Sequence, residues 1–523
     1  MTIAVYATDL VDVSQAETTA ASPGTWAELS GHTTGGAPAQ EDRAYLQGSF
    51  CISQSTGTAT AQTAGLQYTH NANIGLGWTA GDVVLFWQYW QAPKVLQTWA
   101  NGGMRVGIGS SAGNMKYWNA QGSDTGRQPY GGWANTAVDP TFAADQTDGT
   151  PVAGNYTVFG SMPNILSSVS KGNPHCVDAI RYGRAELIVT GGDLANGYGT
   201  FAGMGAANDT DAARWGLFQA QAGSFLWKGL ISLGTAATAV DFRDANRVIV
   251  IEDTPRTYAA FNRVEVNNAA SRVDWTAVSI SALGTLARGS FAMVANATVN
   301  IDSCTFTDMD TFVFQSNATV EATTFRRCNS VTLGGALMAG CTITRSTAAV
   351  ALACGASVSS LSNTSFVSAG TGHAIEITSG TSHTLAGLSF TGYAASNGST
   401  GNESVFVNIA SGSVTLNTDS TISYRTAGAT VTVVAGQKTL TLTGIVAGSD
   451  VVILEAGTDT ELANVDANSG STFAYSYAYA PGTFIDVCVY KAGFVPLAIR
   501  NYLLGSESGS LPINQTPDRN YLP

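Results

Sequence analysis

Carboxylates that could act as a catalytic acid and base are concentrated in one short stretch, IDSCTFTDMD at residues 301–310. It contains Asp302, Asp308 and Asp310, and Glu321 follows within the next twenty residues. Glycoside hydrolysis needs two carboxyl groups roughly 5 to 10 Å apart across a groove that admits a sugar. Between residues 330 and 400, however, Glu376 is the only acidic residue. The pattern therefore favours aspartates that cap turns, so we assign no catalytic residue and keep polysaccharide cleavage as an alternative.

A second candidate for chemistry is a G-x-S-x-G match formed by Gly109, Ser111 and Gly113. This motif activates a serine only on a sharp turn between a strand and a helix. The following residues, NMKYWNAQGSDTG, have no helical pattern. The overlapping GIGSSAG is one residue too long for a dinucleotide fingerprint. We therefore predict neither a serine nucleophile nor a cofactor.

Metal ligands are sparse in the sequence. The five histidines never form HxH or HExxH, and the seven cysteines have no CxxC spacing and an odd count. Buried thiols explain the cysteines better than zinc or a disulfide framework. Asp209 and Asp211 in NDTDAARWG could bind calcium through their oxygens, but the cap of a short helix explains them equally well. We predict no metal site and leave calcium at this pair open.

A phrase of a small or hydroxyl residue, a bulky apolar residue and polar residues recurs five times: SCTFTDM, TTFRRC, CTITRS, TSFVSA and LSFTGY. Its apolar members are spaced by 19, 18, 23 and 24 residues; they are Phe306, Phe325, Ile343, Phe366 and Phe390. Units of about 20 residues cannot bury an apolar face alone, but stacked coils can. The spacing predicts a right-handed parallel β-helix at residues 240–424, with these five side chains stacked in its interior.

The sequence before residue 240 has a different pattern. Long apolar strands such as DVVLFWQYW (82–90) and AELIVTGGD (185–193) are separated by turns rich in Gly and Asn. They predict a jelly-roll-like β-sandwich at residues 41–239, after an N-terminal strand and linker at residues 1–40. We expect Trp78, Trp87, Trp90 and Trp99 to fill the sandwich core, with a ligand groove as the alternative.

A third pattern begins near residue 425. ATVTVVAGQKTLTLTG and FAYSYAYAPGTFIDVCVY alternate with period two and are broken by tight turns. They predict an immunoglobulin-like β-sandwich at residues 425–505, with Tyr475, Tyr477 and Tyr479 on one face. Residues 506–523 contain three prolines and should form an extended tail. The whole chain is therefore predicted to be all-β, with little helix.

Composition excludes several classes of partner. Only 12% of the 523 residues are charged, against about 25% in ordinary soluble proteins, and the net charge is −13. Nucleic-acid binding needs clustered Lys and Arg, and the chain has only six Lys. No run approaches the roughly 18 apolar residues of a membrane span, and MTIAVYATDL lacks the basic start of a secretion signal. We therefore expect that the protein does not bind nucleic acid and does not insert into a membrane. We also expect that it is made in a cytoplasm.

Three stretches carry a resemblance to known proteins: residues 175–219 (HCVDAIRYGRAELIVTGGDLANGYGTFAGMGAANDTDAARWGLFQ), 240–254 (VDFRDANRVIVIEDT) and 271–309 (SRVDWTAVSISALGTLARGSFAMVANATVNIDSCTFTDM). They are similar to a family of structural proteins of tailed bacteriophage virions, over residues 40 to 400. The resemblance implies a virion component of the fibre, spike or decoration type with a β-helix. It also implies a homotrimer that contacts other virion proteins. No ligand-binding residue can be transferred from the family.

The expected function is therefore that of a virion protein that projects from the particle and adheres to a host-surface glycan. One alternative in the same class is a capsid cement or decoration protein with no ligand. The alternative from another class is a tailspike polysaccharide depolymerase. Acids and aromatics that converge on one groove would favour the enzyme, whereas a flat polar surface would favour the architectural role.

Overall fold

The computed structural model describes residues 1–520 except residues 9, 22, 47, 57–62, 91–98, 102, 121–132, 166–173, 210–215, 222, 253–260, 283–288, 346–350, 386, 399–400, 435–436, 479–482 and 506. The all-β prediction is confirmed, since 56% of the chain is strand and 4% is helical. Hydroxyl and β-branched residues dominate the sequence, and these suit pleated strands and are poor helix formers. In the described part of the chain, no helix is long and apolar enough to cross a bilayer.

The described chain divides into two compact units. The first unit comprises residues 1–319 and 324–329, and the second comprises residues 320–323 and 330–523. The α-helix described in the first unit is α1 (Phe201–Asp209), and short 3₁₀ turns lie at Ile74–Gly77, Trp99–Asn101 and Ala356–Ser360.

The first part of unit one is a two-sheet antiparallel sandwich. Its strands and their neighbours are β1 (Ala4–Thr8), β2 (Val11–Ser14), β3 (Ala20–Ala21), β4 (Gly24–Thr33), β5 (Ala39–Glu41), β6 (Cys51–Gln54), β7 (Ala64–His70), β8 (Asp82–Trp90), β9 (Met104–Ser111), β10 (Asn114–Asn119), β11 (Trp133–Val138), β12 (Gln146–Asp148), β13 (Val158–Pro163) and β14 (His175–Arg184). One sheet has the order β12-β10-β9-β13-β7-β4-β3, and the other has the order β11-β8-β14-β6-β5 with β2 beside β14. The sandwich thus takes β2, β3, β4 and most of β5 from before residue 41, where we had placed its start.

Alternating side chains from both sheets form the core of this sandwich. The core includes Trp26, Leu66, Tyr68, Val84, Phe86, Val106, Ile108, Trp118, Phe159 and Val177. Because neighbouring residues of a strand point to opposite faces, each of these strands also carries a second row of side chains away from this core. That second row includes Trp87 next to Phe86, and Tyr117 next to Trp118.

The rest of unit one consists of short strands that pair with one another in parallel, with one exception. They are β15 (Glu186–Thr190), β16 (Phe218–Gln221), β17 (Ser224–Trp227), β18 (Leu230–Leu233), β19 (Asp241–Ala245), β20 (Val248–Ile251), β21 (Arg263–Val266), β22 (Arg272–Thr276), β23 (Ser279–Ala282), β24 (Ser290–Met293), β25 (Thr298–Asp302), β26 (Thr305–Thr307), β27 (Thr311–Gln315), β28 (Ala318–Glu321) and β29 (Thr324–Cys328). The exception is β16, which pairs antiparallel with β17; β28 continues into unit two. Three parallel sheets run β15-β18-β21-β24-β27, β17-β20-β23-β26-β29 and β19-β22-β25. From β18 onward, each of these strands pairs with the third strand after it, so the chain visits the three sheets in turn.

The second unit begins with the same kind of parallel strands. They are β30 (Ser330–Gly334), β31 (Leu337–Ala339), β32 (Thr342–Arg345), β33 (Leu352–Cys354), β34 (Leu361–Ser362), β35 (Ser365–Val367), β36 (Ile375–Ile377), β37 (Ser382–Leu385), β38 (Ser389–Thr391), β39 (Val405–Val407), β40 (Ser413–Thr418), β41 (Tyr424–Thr426) and β42 (Thr430–Val434). Within this unit the sheets run β30-β33-β36-β39-β41, β32-β35-β38, β31-β34 and β37-β40-β42. Alternate residues of these strands are buried, as in β33 and β36.

Within each unit, the residues of the repeated phrase occupy equivalent positions on neighbouring strands. Phe306 is in register with Phe325, and their ring centroids are 5.4 Å apart. Ile343 is in register with Phe366 and Phe366 with Phe390, whose rings stack at 5.4 Å. Four of the five side chains are fully buried, but Phe390 is half-buried, contrary to our expectation. Phe390 lies on β38, the last strand of its sheet, so no later strand covers its ring.

The C-terminal part of unit two is a small sandwich. Its strands are β43 (Gln437–Thr443), β44 (Ser449–Glu455), β45 (Glu461–Asn468), β46 (Thr472–Ala478), β47 (Phe484–Tyr490), β48 (Leu497–Leu503) and β49 (Gly509–Pro512). They form the sheets β46-β43-β49 and β45-β44-β47-β48 around one core. Tyr475 and Tyr477 share a face with rings 5.9 Å apart, and Tyr479 lies outside the described residues. The expected irregular tail is corrected in part: β49 pairs in parallel with β43, because Leu511 and Ile513 pack against the core.

Candidate ligand groove

The main candidate site is a pair of cavities in unit one that share Trp78 and Thr141 in their walls, which we call the Trp78 groove. The first cavity has a volume of about 440 Å³ and is lined mainly by aromatic, proline and small residues around Trp78, together with Lys116, Asn155 and Tyr156. The second has a volume of about 780 Å³ and is also lined by Asp139, Phe142, Arg184 and Arg263. Each volume is in the range of natural small-molecule sites.

Trp78 is held by the turn that precedes it. The Oδ1 atom of Asn73 accepts hydrogen bonds from the backbone N–H groups of Gly75 and Tyr156, both at 2.8 Å. This one amide therefore caps the 3₁₀ turn and ties it to the segment that carries Tyr156. The Trp78 and Tyr156 rings meet edge to face at 5.1 Å. Trp78 packs partly against the sandwich core and remains half-buried, so part of its indole faces the groove.

The shared wall at Thr141 is fixed by a local turn. Asp139 is buried, and its Oδ1 atom accepts hydrogen bonds from the Thr141 N–H at 2.9 Å and from its hydroxyl at 2.6 Å. An Asp side chain that binds the backbone two residues on is a common turn device. The carboxylate of Asp139 thus holds Thr141 in place in the groove wall.

Cationic side chains enter both cavities. Lys116 is half-buried in β10, and within the described residues no carboxylate lies within salt-bridge distance of its amine. Arg184 ends β14, and its Nε lies 3.3 Å from Glu186 Oε2. Arg263 begins β21, and its Nε lies 2.8 Å from Glu265 Oε1. A guanidinium has five N–H donors, so one contact at Nε leaves the terminal nitrogens for other partners.

A second group of polar and aromatic residues lies on the outer face of the seven-stranded sheet. The guanidinium of Arg105 lies 3.9 Å from the ring centroid of Trp99. Its Nε donates to Asn119 Oδ1 at 2.8 Å, and its NH1 donates to Gln146. Burial lowers the pKa of Arg105. Because amides and the indole already surround this guanidinium, the group acts as an internal anchor for Trp99.

The tryptophans that we expected in the sandwich core lie elsewhere or only touch it. Trp87 is buried, but it points away from the core residue Phe86 and lies close to Gly216. Trp78 and Trp99 belong to the two sites above, and the side chain of Trp90 lies outside the described residues. The core instead contains Trp26 and Trp118. The alternation of NMKYWN was the available signal for Trp118, since it places Met115 and Tyr117 on the opposite face.

The acidic residues that were candidates for glycan cleavage are occupied by neighbours. Asp308 accepts two hydrogen bonds of 2.6 Å from Arg327, and Asp310 accepts one of 2.7 Å from the amide of Asn329. Asp302 is exposed at the end of β25 and accepts from the hydroxyl of Ser303 at 2.9 Å. Asp308 also has a φ of 57°, as expected of a turn residue. The partners of Asp308 and Asp310 are side chains 19 residues later in the chain, not the turn amides that we predicted.

Glu321 and Glu376 were the other acids of this alternative. Glu321 is exposed at the end of β28. Glu376 in β36 is half-buried, and its Oε1 accepts a hydrogen bond of 2.6 Å from the Asn408 amide. Among the described lining residues of the Trp78 groove, Asp139 is the one acid. Neither cavity therefore has two carboxylates that face each other across it.

The remaining sequence motifs also have structural explanations. Gly109, Ser111 and Gly113 lie in the β9–β10 hairpin, where Ser111 Oγ accepts from the Asn114 amide at 2.7 Å. A strand follows this turn, so the strand-to-helix geometry of a serine nucleophile does not occur here. Asp209 ends α1, and Asp211 lies outside the described residues. Among the described residues, no cluster of three or more His, Cys, Asp or Glu could hold a metal ion.

Comparisons with known proteins give only low-scoring matches to solved structures. No family model matches, and no curated protein matches. Among solved structures, the C-terminal family 22 carbohydrate-binding module of Clostridium thermocellum Xyn10B is 10% identical, with a TM-score of 0.19 over 30% of this chain and 85% of that one. The catalytic domain of a GH87 α-1,3-glucanase is 8% identical, with a TM-score of 0.16 over 78% of this chain and 85% of that one. At these scores, the likenesses support no conclusion about fold or function.

Proposed function

We propose that this protein is a structural component of a bacteriophage virion, a surface-projecting fibre, spike or decoration that adheres to a host-surface glycan. The placement on a virion is suggested by the sequence resemblance described above. The adhesive role is supported by the Trp78 groove, where an aromatic ring, hydroxyls, amides and cations converge. Its partners would be two further copies of itself, other virion proteins and the glycan.

The architecture that we propose for this role has three modules. The parallel strands of each unit are interpreted as coils of one right-handed parallel β-helix at residues 240–424. It would be preceded by a jelly-roll-like sandwich at residues 41–239 and followed by an immunoglobulin-like sandwich at residues 425–505. Supporting observations are the pairing of each strand with the third strand after it and the in-register Phe pairs.

The observation that carries the glycan-binding proposal is the half-buried indole of Trp78 between two cavities with polar walls. An indole offers a flat apolar face that suits the C–H face of a sugar ring, and its position is fixed by Asn73 and Tyr156. Thr141 and Asn155 supply groups that can bond to hydroxyls. A rigid aromatic surface with few charged acids suits binding more than cleavage.

A glycan array of bacterial surface polysaccharides tests this proposal directly. We expect the protein to bind a subset of the array, and Trp78→Ala to weaken that binding by at least about tenfold, equivalent to about 1.4 kcal/mol. Tyr490→Ala is the matched control, because Tyr490 is a largely exposed aromatic residue of the other unit. Thermal melting of each variant checks folding, and Lys116→Ala is a second groove variant. Equal binding by wild type and both groove variants would contradict the proposal.

The two alternatives predict different results. A capsid cement or decoration protein with no ligand would bind no glycan and would label the capsid in images of virions treated with a specific antibody. A tailspike depolymerase would bind and then release new reducing ends. The engagement of Asp308 by Arg327 and of Asp310 by Asn329 favours binding over cleavage.

A further inference from the structure

We propose that the Trp78 groove takes an acidic saccharide, with the ligand carboxylate held by Arg184 and Arg263 and a sugar ring on Trp78. This inference rests on the proposed glycan-binding function and specifies the ligand class of the same site. It follows from three observations: the charge of the lining, the placement of the two arginines by the strand register, and the terminal donors of their guanidinium groups.

The lining of the groove has the opposite charge to the protein. The chain has 37 acidic against 24 basic residues, and its net charge is −13. The walls of the two cavities nevertheless contain Lys116, Arg184 and Arg263 against one acid, the structurally engaged Asp139. Each arginine pairs with a glutamate from outside the lining, so the positive charge that faces the groove is that of the guanidinium edges and of Lys116, which favours a ligand of the opposite charge. A neutral sugar would make no use of this reversal.

The strand register brings the two arginines to the same cavity. Glu186 is in register with Leu230, and Leu230 is in register with Arg263. Arg263 therefore lies two strands from Glu186, about 10 Å along the sheet. Arg184 is two residues before Glu186, at the end of β14. Arginine side chains are long enough for both to line one cavity from these positions, as the structure shows.

Each arginine is contacted by a glutamate that lies outside the cavity. Glu186 contacts Arg184 Nε and is itself bound by the Ser232 hydroxyl, while Glu265 contacts Arg263 Nε. Neither glutamate is among the residues that line the cavity. Such contacts fix each guanidinium before a ligand arrives, which reduces the ordering cost of binding. The ion pair described for each arginine is at Nε, and the two terminal nitrogens of a guanidinium form the planar edge that binds carboxylates in pairs.

Lys116 provides a positive charge in the first cavity, as the arginines do in the second. It lies beyond Trp78, where Tyr156 and Asn155 complete the wall. A chain of acidic sugars placed along the groove would set one carboxylate at the arginines and a second negative group near Lys116. The ligand class is therefore an acidic oligosaccharide with carboxylates on separate residues, such as a polymer that contains uronic acids.

Carboxyl reduction of the ligand gives the sharpest test. The probe is the glycan that binds best on the array, compared with the same glycan after its carboxylates have been reduced to neutral alcohols. We expect the reduced glycan to bind at least about tenfold more weakly, because charge-assisted hydrogen bonds are worth more than neutral ones. We also expect Arg184→Gln and Arg263→Gln each to weaken binding of the acidic form by about ten- to a hundredfold. Arg43→Gln is the charge-matched control, since Arg43 is exposed and is not among the residues that line either cavity.

The outcomes separate this inference from the proposed function. Binding that is unchanged by carboxyl reduction, or an array on which the best binders are neutral, would overturn the acidic ligand while leaving glycan adhesion in place. Loss of binding on reduction with wild-type affinity of both arginine variants would place the acidic site elsewhere and would also overturn it. An array with no bound glycan would remove the proposed function itself. Melting temperatures of the variants show whether any loss comes from unfolding.

Discussion

His175 should make the sandwich unfold more easily in mild acid. Its side chain is fully buried at the start of β14, and its Nε2 lies 2.7 Å from Ser161 Oγ on the other sheet. Gln88 donates to the same hydroxyl at 2.5 Å, so a polar chain crosses the interior between the two sheets. Burial lowers the pKa of His175 to about 3, because the protonated ring loses its hydration.

The sign of the effect follows from the lowered pKa. In the unfolded chain the imidazole takes up a proton below its ordinary pKa of about 6.5, whereas the folded protein resists protonation until about pH 3. The stabilising effect of the neutral ring is therefore complete above pH 6.5 and is lost as the pH falls from 6.5 towards 3. Linkage gives a loss of about 2 kcal/mol between pH 7 and pH 5, and of about 5 kcal/mol at the acidic limit.

The measurement is the free energy of unfolding in urea at pH 7 and pH 5, followed by tryptophan fluorescence. This signal reports on unit one, because all ten Trp lie between residues 26 and 275. His175→Gln keeps a polar side chain opposite Ser161 but does not titrate, so we expect it to be less stable at pH 7 and to lose about 2 kcal/mol less than the wild type on acidification.

Thr136→Val is the control within the same polar chain. Thr136 is buried and donates to Gln88, but it has no group that titrates. We expect this variant to be destabilised at both pH values while keeping the wild-type dependence on pH. The reasoning is refuted if His175→Gln and the wild type lose the same stability between pH 7 and pH 5.

Three further predictions concern the stack, the assembly and the acids. Phe366→Ala should cost about 3 to 5 kcal/mol in urea unfolding, and Phe390→Ala clearly less, because only the first ring is fully buried; equal losses would contradict the assigned positions. Light scattering should give three times the chain mass of 54.0 kDa, and a single chain mass would contradict the homotrimer. Incubation with capsule and lipopolysaccharide of a susceptible host should release no reducing ends or unsaturated sugars, whereas release abolished by Asp302→Asn or Asp308→Asn would establish the depolymerase.

The repeated phrase predicted residues on neighbouring strands that align, and the structure shows three such pairs, Phe306–Phe325, Ile343–Phe366 and Phe366–Phe390. A spacing of 19 residues put Phe306 in register with Phe325, and the structure shows this pair. The same spacing could not predict the exposure of Phe390, because burial there depends on whether a further strand covers it. Alternation likewise predicted a shared face for Tyr475 and Tyr477, but not that residues after 506 would add a strand to the sheet. Local period is visible in a sequence, whereas the end of a sheet is a tertiary property.

The groove could not be predicted in this way. Trp78, Tyr156, Arg184 and Arg263 come from separate segments, and no spacing among them resembles a motif. They meet because the chain passes from the sandwich to the parallel sheet at Ala185. β14 belongs to the sandwich, and β15, which follows it, belongs to the sheet that contains β21. Our expectation that the tryptophans would fill the core rested on their buried area, which is correct on average for large aromatic residues. It failed for Trp78 because a cap by Asn73 holds the indole at the edge of the core.

The junction of the two folding patterns explains why a groove forms at this place. Arg184 ends β14 of the sandwich and Arg263 begins β21 of the parallel sheet, so the wall of the second cavity takes residues from both patterns. Arg184 and Arg263 occupy this join, where their stems can pack on apolar neighbours and their charged ends stay in contact with solvent. Charges are rare in this chain, and a buried charge without a partner would be costly. Each arginine has a glutamate partner outside the cavity, and the acidic ligand that we propose would be a second partner inside it.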